Sequence, residues 1–253
     1  MHDMKSEREY GKAGTIGIGV PQANTTVEAE FRAIIPAGVN LITARLQGSR
    51  TDSRQRLLDY FHTLEATLET FDSAPLAAFG FACTGTSYLL GVEKDRSAFA
   101  ELSRRRGYPA VPATEAILES LAHVGARSVA LVSPYPAWLT EAALGYWRDA
   151  GIEVAEVVQV EADTADTRNV YNVTSADAVA AAGRFKRRDA DAILLSGTGM
   201  PTLRAVGELA RAFGKPILSS NLCLAWSLGR RIGIAGAPPW EQRGDWESRL
   251  ERL

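Results

Sequence analysis

Two short segments of this chain are copies of one device, and only one copy carries a thiol. Phe81-Ala82-Cys83-Thr84-Gly85 and Leu195-Ser196-Gly197-Thr198-Gly199 each close an apolar run with a Thr-Gly turn ahead of a helical stretch. Their offset is constant at 114 residues, 83 to 197 and 85 to 199. A chain duplicated in this way folds into two similar halves. If the two turns face each other, Cys83 faces a glycine, and the site has pseudo-twofold geometry with a reactive group on one side.

The rest of the chain has the matching pattern. Apolar runs that read as buried parallel strands alternate with amphipathic stretches, as in an α/β architecture whose sheets are covered on both faces. Strands are expected at Thr15 to Val20, Val39 to Leu46, Leu76 to Ala82, Ser128 to Ser133, Glu153 to Gln159, Ala192 to Ser196 and Pro216 to Ser219. One long helix is expected over Ser53 to Phe71, with Leu57, Tyr60, Phe61, Leu64 and Leu68 on one face. Shorter helices are expected over Thr114 to His123, Ala137 to Asp149, Ser175 to Phe185 and Thr202 to Phe213.

The repeat extends beyond the opening pair. Val20-Pro21-Gln22 and Ser133-Pro134-Tyr135 both follow a first strand, and Pro109 to Thr114 and Pro216 to Asn221 both follow a fourth. The expected fold is two pseudo-symmetric α/β lobes, each a parallel sheet flanked by helices, with the active site in the cleft between them. The expected division is a flexible segment at 1–14, a first lobe at 15–110, a second at 111–220, and a helix and tail at 221–253 returning to the first lobe. Ligands of parallel sheets sit beyond the carboxyl ends of the strands, which draws Gln22, Cys83, Tyr135, Gly197 and Asn221 toward one cleft.

Composition narrows the class of partner. The 28 basic and 30 acidic residues nearly cancel, and no run of like charge is long enough to follow a nucleic acid or an anionic membrane. No apolar run approaches the roughly 20 residues that span a bilayer. Two cysteines, Cys83 and Cys223, make no disulfide framework, and the polar start Met1 to Gly14 lacks a signal-peptide core, so a reducing cytoplasm is the expected compartment. His2, His62 and His123 have no metal-ligand spacing relative to the cysteines, and the chemistry is read as needing no metal or cofactor. The tail aromatics Trp240 and Trp246, read as exposed, suit a contact in a homo-oligomer or an extra surface helix.

The motifs have two readings each. Cys83 stands at an expected helix N-terminus, where amides and the dipole favour a thiolate or a bound carboxylate; the other reading is an inert core cysteine. Cys223 reads as core. Asn24-Thr25-Thr26 with Glu28 makes a capping-box pattern at Thr25, and the same amides suit an anionic substrate. Thr84, Gly85, Thr86, Ser87, Thr198, Gly199 and Asn221 share that ambiguity between cap and binding group. Tyr135, between two prolines, either donates its hydroxyl to a carboxylate or packs at a rim. Phe81, Tyr88, Leu89 and Met200 form either an apolar substrate pocket or core. His62 and His123 read as surface or dipole-paired residues. Arg104-Arg105-Arg106 and Lys186-Arg187-Arg188 read as solvated helix ends. Gly17-Ile18-Gly19 lies inside a strand and is not a dinucleotide loop.

These residues resemble the aspartate/glutamate racemase superfamily, and within it the maleate cis-trans isomerase and arylmalonate decarboxylase branch. Val20 to Glu28 is similar to the first substrate loop of the isomerases, Ala82 to Ser87 to their first cysteine loop, and Leu218 to Asn221 to their last loop. Val129 to Tyr135 and Ile193 to Gly199 are similar to the decarboxylases. The resemblance implies a small carboxylate or dicarboxylate substrate. In the superfamily, racemases and maleate isomerases carry a cysteine on each side of the cleft, and arylmalonate decarboxylases carry one on the second side. This chain has Cys83 on the first side and Gly197 on the second.

One thiol serves a decarboxylase well, because loss of carbon dioxide from a malonate-like acid leaves an enediolate that needs a single proton. That is the leading expectation, with Cys83 as donor. The alternative is a maleate-type or racemase-like isomerase in which a Cys83 thiolate adds to the double bond, which calls for a lowered thiol pKa. A second alternative is a carboxylate-binding protein without catalysis.

Overall fold

The computed structural model describes residues 9–163, 166–187, 189–234, 236–241 and 243–252. Its first half runs β1 (Gly14–Pro21), α1 (Thr26–Ile34), β2 (Val39–Leu46), α2 (Ser53–His62), α3 (Leu64–Glu69), β3 (Ala78–Phe81), α4 (Thr84–Leu90), α5 (Val92–Arg106) and β4 (Ala110–Pro112). The second half continues with α6 (Ala113–His123), β5 (Ser128–Ser133), α7 (Ala137–Asp149), β6 (Glu153–Gln159), a 3₁₀ turn (Thr167–Asn172), α8 (Ser175–Ala182), β7 (Ala192–Leu195), α9 (Leu203–Phe213) and β8 (Ile217–Ser219). Two helices, α10 (Ser220–Arg231) and α11 (Arg243–Leu250), complete the chain.

The strands form two four-stranded parallel sheets of the same order, β2-β1-β3-β4 and β6-β5-β7-β8. Parallel pairing needs a crossover between neighbours, and the intervening helices supply it while covering both faces. The expected two-lobed α/β class is therefore the observed one.

In β1, Ile16, Ile18 and Val20 are fully buried on one face. The alternate positions are glycines for reasons of packing: a Cβ on Gly17 would lie 2.8 Å from Leu76 Cδ1, and one on Gly19 would lie 2.9 Å from Phe79 Cζ. Residues 1–8 of the expected N-terminal segment, and Arg188 of the second basic run, lie outside the described residues. The first basic run is ion-paired: Arg104 and Arg105 bond Glu101, Arg105 and Arg106 bond Glu65, and Arg106 bonds Glu69.

Two expectations change. The helix over Ser53 to Phe71 is interrupted at Thr63 (φ −94°, ψ 5°), which ends α2 and precedes α3 although its N–H still donates to Asp59 O at 2.8 Å; its hydroxyl lies 2.9 Å from Asp59 O and 3.0 Å from Gln47 O. The tail aromatics are not exposed. Trp246 is 2% exposed and donates Nε1–H to Pro239 O at 2.8 Å, and Trp240 packs edge-on against Trp226 with ring centres 5.0 Å apart. Arg249 donates to Ala33 O and Ile34 O, satisfying carbonyls at the end of α1 that have no partner within that helix. His123 stacks on Trp226, and His62 is exposed. Cys223 is fully buried, and burial pushes its thiol up to about 12, an inert core cysteine.

Candidate active site

The first turn follows directly from β3. Phe81 and Ala82 are fully buried, and Cys83, in an extended conformation (φ −147°, ψ 93°), is the N-cap of α4. Thr84, Thr86 and Ser87 in the opening turn of that helix are all fully buried. Cys83 is itself 5% exposed. Burial pushes its thiol above the usual cysteine value; the Thr86 hydroxyl and the amides of Thr86 and Gly85 act in the opposite direction, and Asp95 adds to the rise. The Thr86 hydroxyl lies 3.3 Å from Sγ and 2.7 Å from Leu57 O. It has one proton, and a carbonyl only accepts, so in the neutral state the proton serves Leu57 O and the Thr86 oxygen is turned to the S–H. Ionising Cys83 means withdrawing that proton from Leu57 O.

The second turn follows β7 in the same way. Ser196 to Met200 are buried, Gly197 takes φ +96°, and its N–H donates to Ser220 Oγ at 3.0 Å. That φ is open to glycine and strained for a side-chain-bearing residue. A Cβ on Gly197 would meet Pro134 Cγ at 2.9 Å and the Tyr135 hydroxyl at 3.1 Å.

The two turns are tied directly together. Thr198 donates its hydroxyl to Ala82 O at 2.7 Å, and Asn24 Nδ2 lies 3.4 Å from the same Thr198 oxygen. Tyr135 OH and Thr84 Oγ1 are 2.8 Å apart, as are Tyr88 OH and Ser196 Oγ. Thr26 donates to Gly199 O at 2.8 Å. Cys83, Thr84, Thr86, Asn24, Tyr135, Gly197, Thr198 and Gly199 thus form one connected cluster at the carboxyl ends of both sheets. Burial raises the Tyr135 and Tyr88 phenols well above their ordinary value, so both are proton-bearing groups at neutral pH.

Other sequence-selected residues serve the cluster from behind or stand apart. Asn221 Nδ2 donates to Glu30 Oε2 at 2.7 Å and Thr198 O at 3.0 Å, so it positions the second turn. Ser87 donates to Asp95 at 2.9 Å. Gly85 packs against Leu57 and Leu139, where a Cβ would have 3.3 Å contacts. Gln22 accepts from the Gly48 amide at 3.1 Å. Thr25 is exposed, and the capping box expected there does not form. Asn24 Oδ1 instead accepts from the Thr26 and Val27 amides, and the Glu28 carboxylate is drawn to Arg45 at 2.8 Å. Phe81 and Met200 are fully buried core, and Tyr88 packs edge-on against Tyr135, Tyr146 and Trp147.

Several polar residues of the site were missed in the sequence. Glu30 is buried in α1 and accepts from the Thr202 and Leu203 amides at 2.5 and 3.0 Å, capping α9 of the other lobe. Burial raises its carboxyl despite those bonds. Asp95 is buried behind α4. Arg56, 1% exposed, reaches Ser49 O, Ser53 Oγ, Thr167 Oγ1 and, at 2.6 Å, Asp166, fastening the 3₁₀ turn of the second lobe to the start of α2. Tyr171 on that turn lies against Gly199, where a Cβ would come within 2.5 Å of its ring. A signal for these residues existed. Glu30 falls in step with Val27, Phe31 and Ile34, Asp95 with Phe99 and Leu102, and Arg56 with Tyr60, each a charged residue at a buried helical position.

A cavity of about 200 Å³, lined by Ile16, Val39, Trp226, Arg230 and Trp246 among others, lies where β1 and β2 begin, at the end of the first sheet remote from Cys83. Among the described residues no group of three His, Cys, Asp or Glu side chains is placed to hold a metal ion, and no helix is long and apolar enough to cross a membrane.

Comparison with known proteins agrees with this geometry. A family model described as arylmalonate decarboxylase matches residues 16–243. The maleate isomerase of Nocardia farcinica is 28% identical over 234 residues, covering 88% of this chain and 92% of that protein. The arylmalonate decarboxylase of Bordetella bronchiseptica is 25% identical over 226 residues, covering 87% and 90%. Among solved structures, a cysteine-to-serine mutant of the Nocardia farcinica maleate cis-trans isomerase, with a covalently bound succinylcysteine intermediate, superposes with a TM-score of 0.79 at 25% identity, covering 90% of this chain and 96% of that one.

Proposed function

The chain belongs to the family of arylmalonate decarboxylases and maleate isomerases, and from that premise we propose that it isomerises a small unsaturated dicarboxylate of the maleate type, with Cys83 as nucleophile. The observation that carries this reading is the position of Cys83, the one thiol among the paired turns, at the N-terminus of α4 between Ala82, whose carbonyl receives Thr198, and Thr84, whose hydroxyl pairs with Tyr135. Support comes from the Nocardia farcinica isomerase, which holds a succinylcysteine intermediate after one of its cysteines has been replaced by serine.

The chemistry balances with the neutral thiol favoured by burial. Sγ attacks one alkene carbon, an S–C bond forms, and the π pair moves onto the neighbouring carbon and its carboxylate. The S–H proton is delivered to that carbon, giving a saturated thioether. Rotation about the former double bond, now a carbon–carbon single bond, precedes loss of the same proton and expulsion of the thiol, leaving the trans acid. Asn24, Thr84, Tyr135, Thr198 and the amides of both turns hold the carboxylates and the developing enediolate. Thr25, Gln22 and Ser87 have no direct part in this scheme.

A second reading keeps decarboxylation, which the sequence placed first. It is favoured by the same raised thiol: a buried, neutral S–H is a proton donor. In that case the bond to the departing carboxylate breaks, its electron pair becomes an enediolate, Cys83 protonates the carbon, and solvent returns the proton. With the thiol on the first side, the product has the opposite hand to that of a second-side enzyme binding its substrate in the same orientation.

Mass spectrometry of protein incubated with maleate separates the readings. The isomerase reading expects a succinyl adduct trapped on the peptide containing Cys83. Absence of an adduct, with carbon dioxide released from a malonate-like acid, would transfer the assignment to the decarboxylase.

A further inference from the structure

Asp95 lies in α5 with no exposed surface, and its carboxylate is met by Ser87 Oγ at 2.9 Å, Thr114 Oγ1 at 2.7 Å and Tyr146 OH at 2.9 Å. These three groups come from α4, α6 and α7, so the carboxylate sits where both lobes meet. All three are hydroxyls, and no ion pair among the described residues includes Asp95. A buried carboxylate is ordinarily matched by a cation, and this one is not. Ser87 stands one helical turn beyond Cys83, a rise of about 6 Å along the axis of α4. We infer that Asp95 is a positioning residue that anchors α4 through Ser87 and, as a buried carboxylate with no cationic partner among the described residues, adds to the burial that keeps Cys83 a neutral thiol.

The other groups facing the thiol leave this role to Asp95. Tyr60 from α2, Tyr88 from α4, Tyr135 after β5 and Tyr171 from the 3₁₀ turn all interact with Cys83, and burial holds all four as uncharged phenols. The Arg56 and Arg168 charges near Tyr60 share the one carboxylate of Asp166. On the far side of Asp95, Tyr146 is likewise held protonated, and Glu115 is paired with Arg96. The amides at the start of α4 pull toward thiolate, and the Asp95 carboxylate opposes them. The consequence fits a site that receives a dianion: a thiolate would repel the substrate, whereas a thiol admits it and carries its own proton into the reaction. Burial also raises the Asp95 carboxyl, which its three hydroxyl donors counter.

This inference rests on the reading of Cys83 as the reactive group, and its test does not depend on turnover. The ultraviolet absorbance of the thiolate is followed against pH in the full chain, with Cys83→Ala subtracted to remove tyrosine and Cys223. Asp95→Asn and Asp95→Ser both remove the charge, so one folding variant is sufficient. The expected result is titration of Cys83 at lower pH, with the thiolate fraction at a fixed pH on the rising limb increased about tenfold, and return toward the wild-type curve in Asp95→Glu. Folded neutral variants that titrate like the wild type would overturn the inference, as would an Asp95→Glu curve matching Asp95→Asn. Loss of the Cys83 role itself would be read separately, as undiminished turnover in Cys83→Ala.

Discussion

The Tyr135 hydroxyl lies 3.1 Å from the point where a Cβ would leave Gly197, so the phenol fills the place from which a second-side thiol would project. Backbone and side chain agree on this, because Gly197 also takes φ +96°. Substituting Cys or Ala at Gly197 is expected to destabilise the protein by about 1–3 kcal/mol through backbone strain alone, and Gly197→Cys is expected to gain no activity. Chemical denaturation and turnover measured on the same variants check this. A Gly197→Cys protein of full stability and higher activity would show that the turn adapts.

Tyr135→Phe removes the hydroxyl that joins the two lobes at Thr84. Turnover is expected to fall about 10²- to 10³-fold, the usual effect of losing one donor to a developing oxyanion. Stability is expected to fall only about 1 kcal/mol, the net worth of one hydrogen bond. The split between kinetic and equilibrium effects is the readout.

Asp166 links the 3₁₀ turn to Arg56, and hydrogen bonding from Arg168, with the Arg56 charge behind it, holds its carboxyl down to about 2. A carboxyl depressed on folding contributes stability above its unfolded value and loses it as pH falls through the folded value. The loss therefore occurs between about pH 4, the ordinary value of an aspartic acid, and about pH 2. Asp166→Asn is expected to be less stable than the wild type at neutral pH and to converge with it across that window. Parallel unfolding curves from pH 6 down to the acid limit would contradict the assignment.

Glu30 spans the lobes by capping α9 and orienting Asn221. Glu30→Ala leaves the Thr202 and Leu203 amides and the Asn221 amide without that acceptor, at an expected cost of about 2–3 kcal/mol for bonds to a charged group. Glu30→Gln, which retains one acceptor oxygen, is expected to recover part of the loss. Unfolding free energies of the pair decide it.

Much of this molecule is legible in the sequence because the duplication is written in short, strongly patterned segments. The Thr-Gly turns after β3 and β7 located Cys83, Gly197 and Thr198, and the prolines flanking Tyr135 marked a strand end. What the sequence hid was burial of charge. Glu30, Arg56 and Asp95 are types normally found in water, and only their step with buried apolar neighbours distinguishes them. The interruption at Thr63 was hidden because the helical spacing of Leu57, Tyr60, Leu64 and Leu68 runs straight across it. The tail was misread because the burial of Trp240 and Trp246 depends on contacts with Trp226 of α10 and with the Pro239 carbonyl that only the folded chain makes.

The most direct test of the central claim is proton NMR of the purified protein with maleate in deuterated buffer, run beside Cys83→Ala. Fumarate is expected from the wild type and none above background from the variant. Fumarate formed equally well by Cys83→Ala would contradict it, since no other thiol stands at the paired turns.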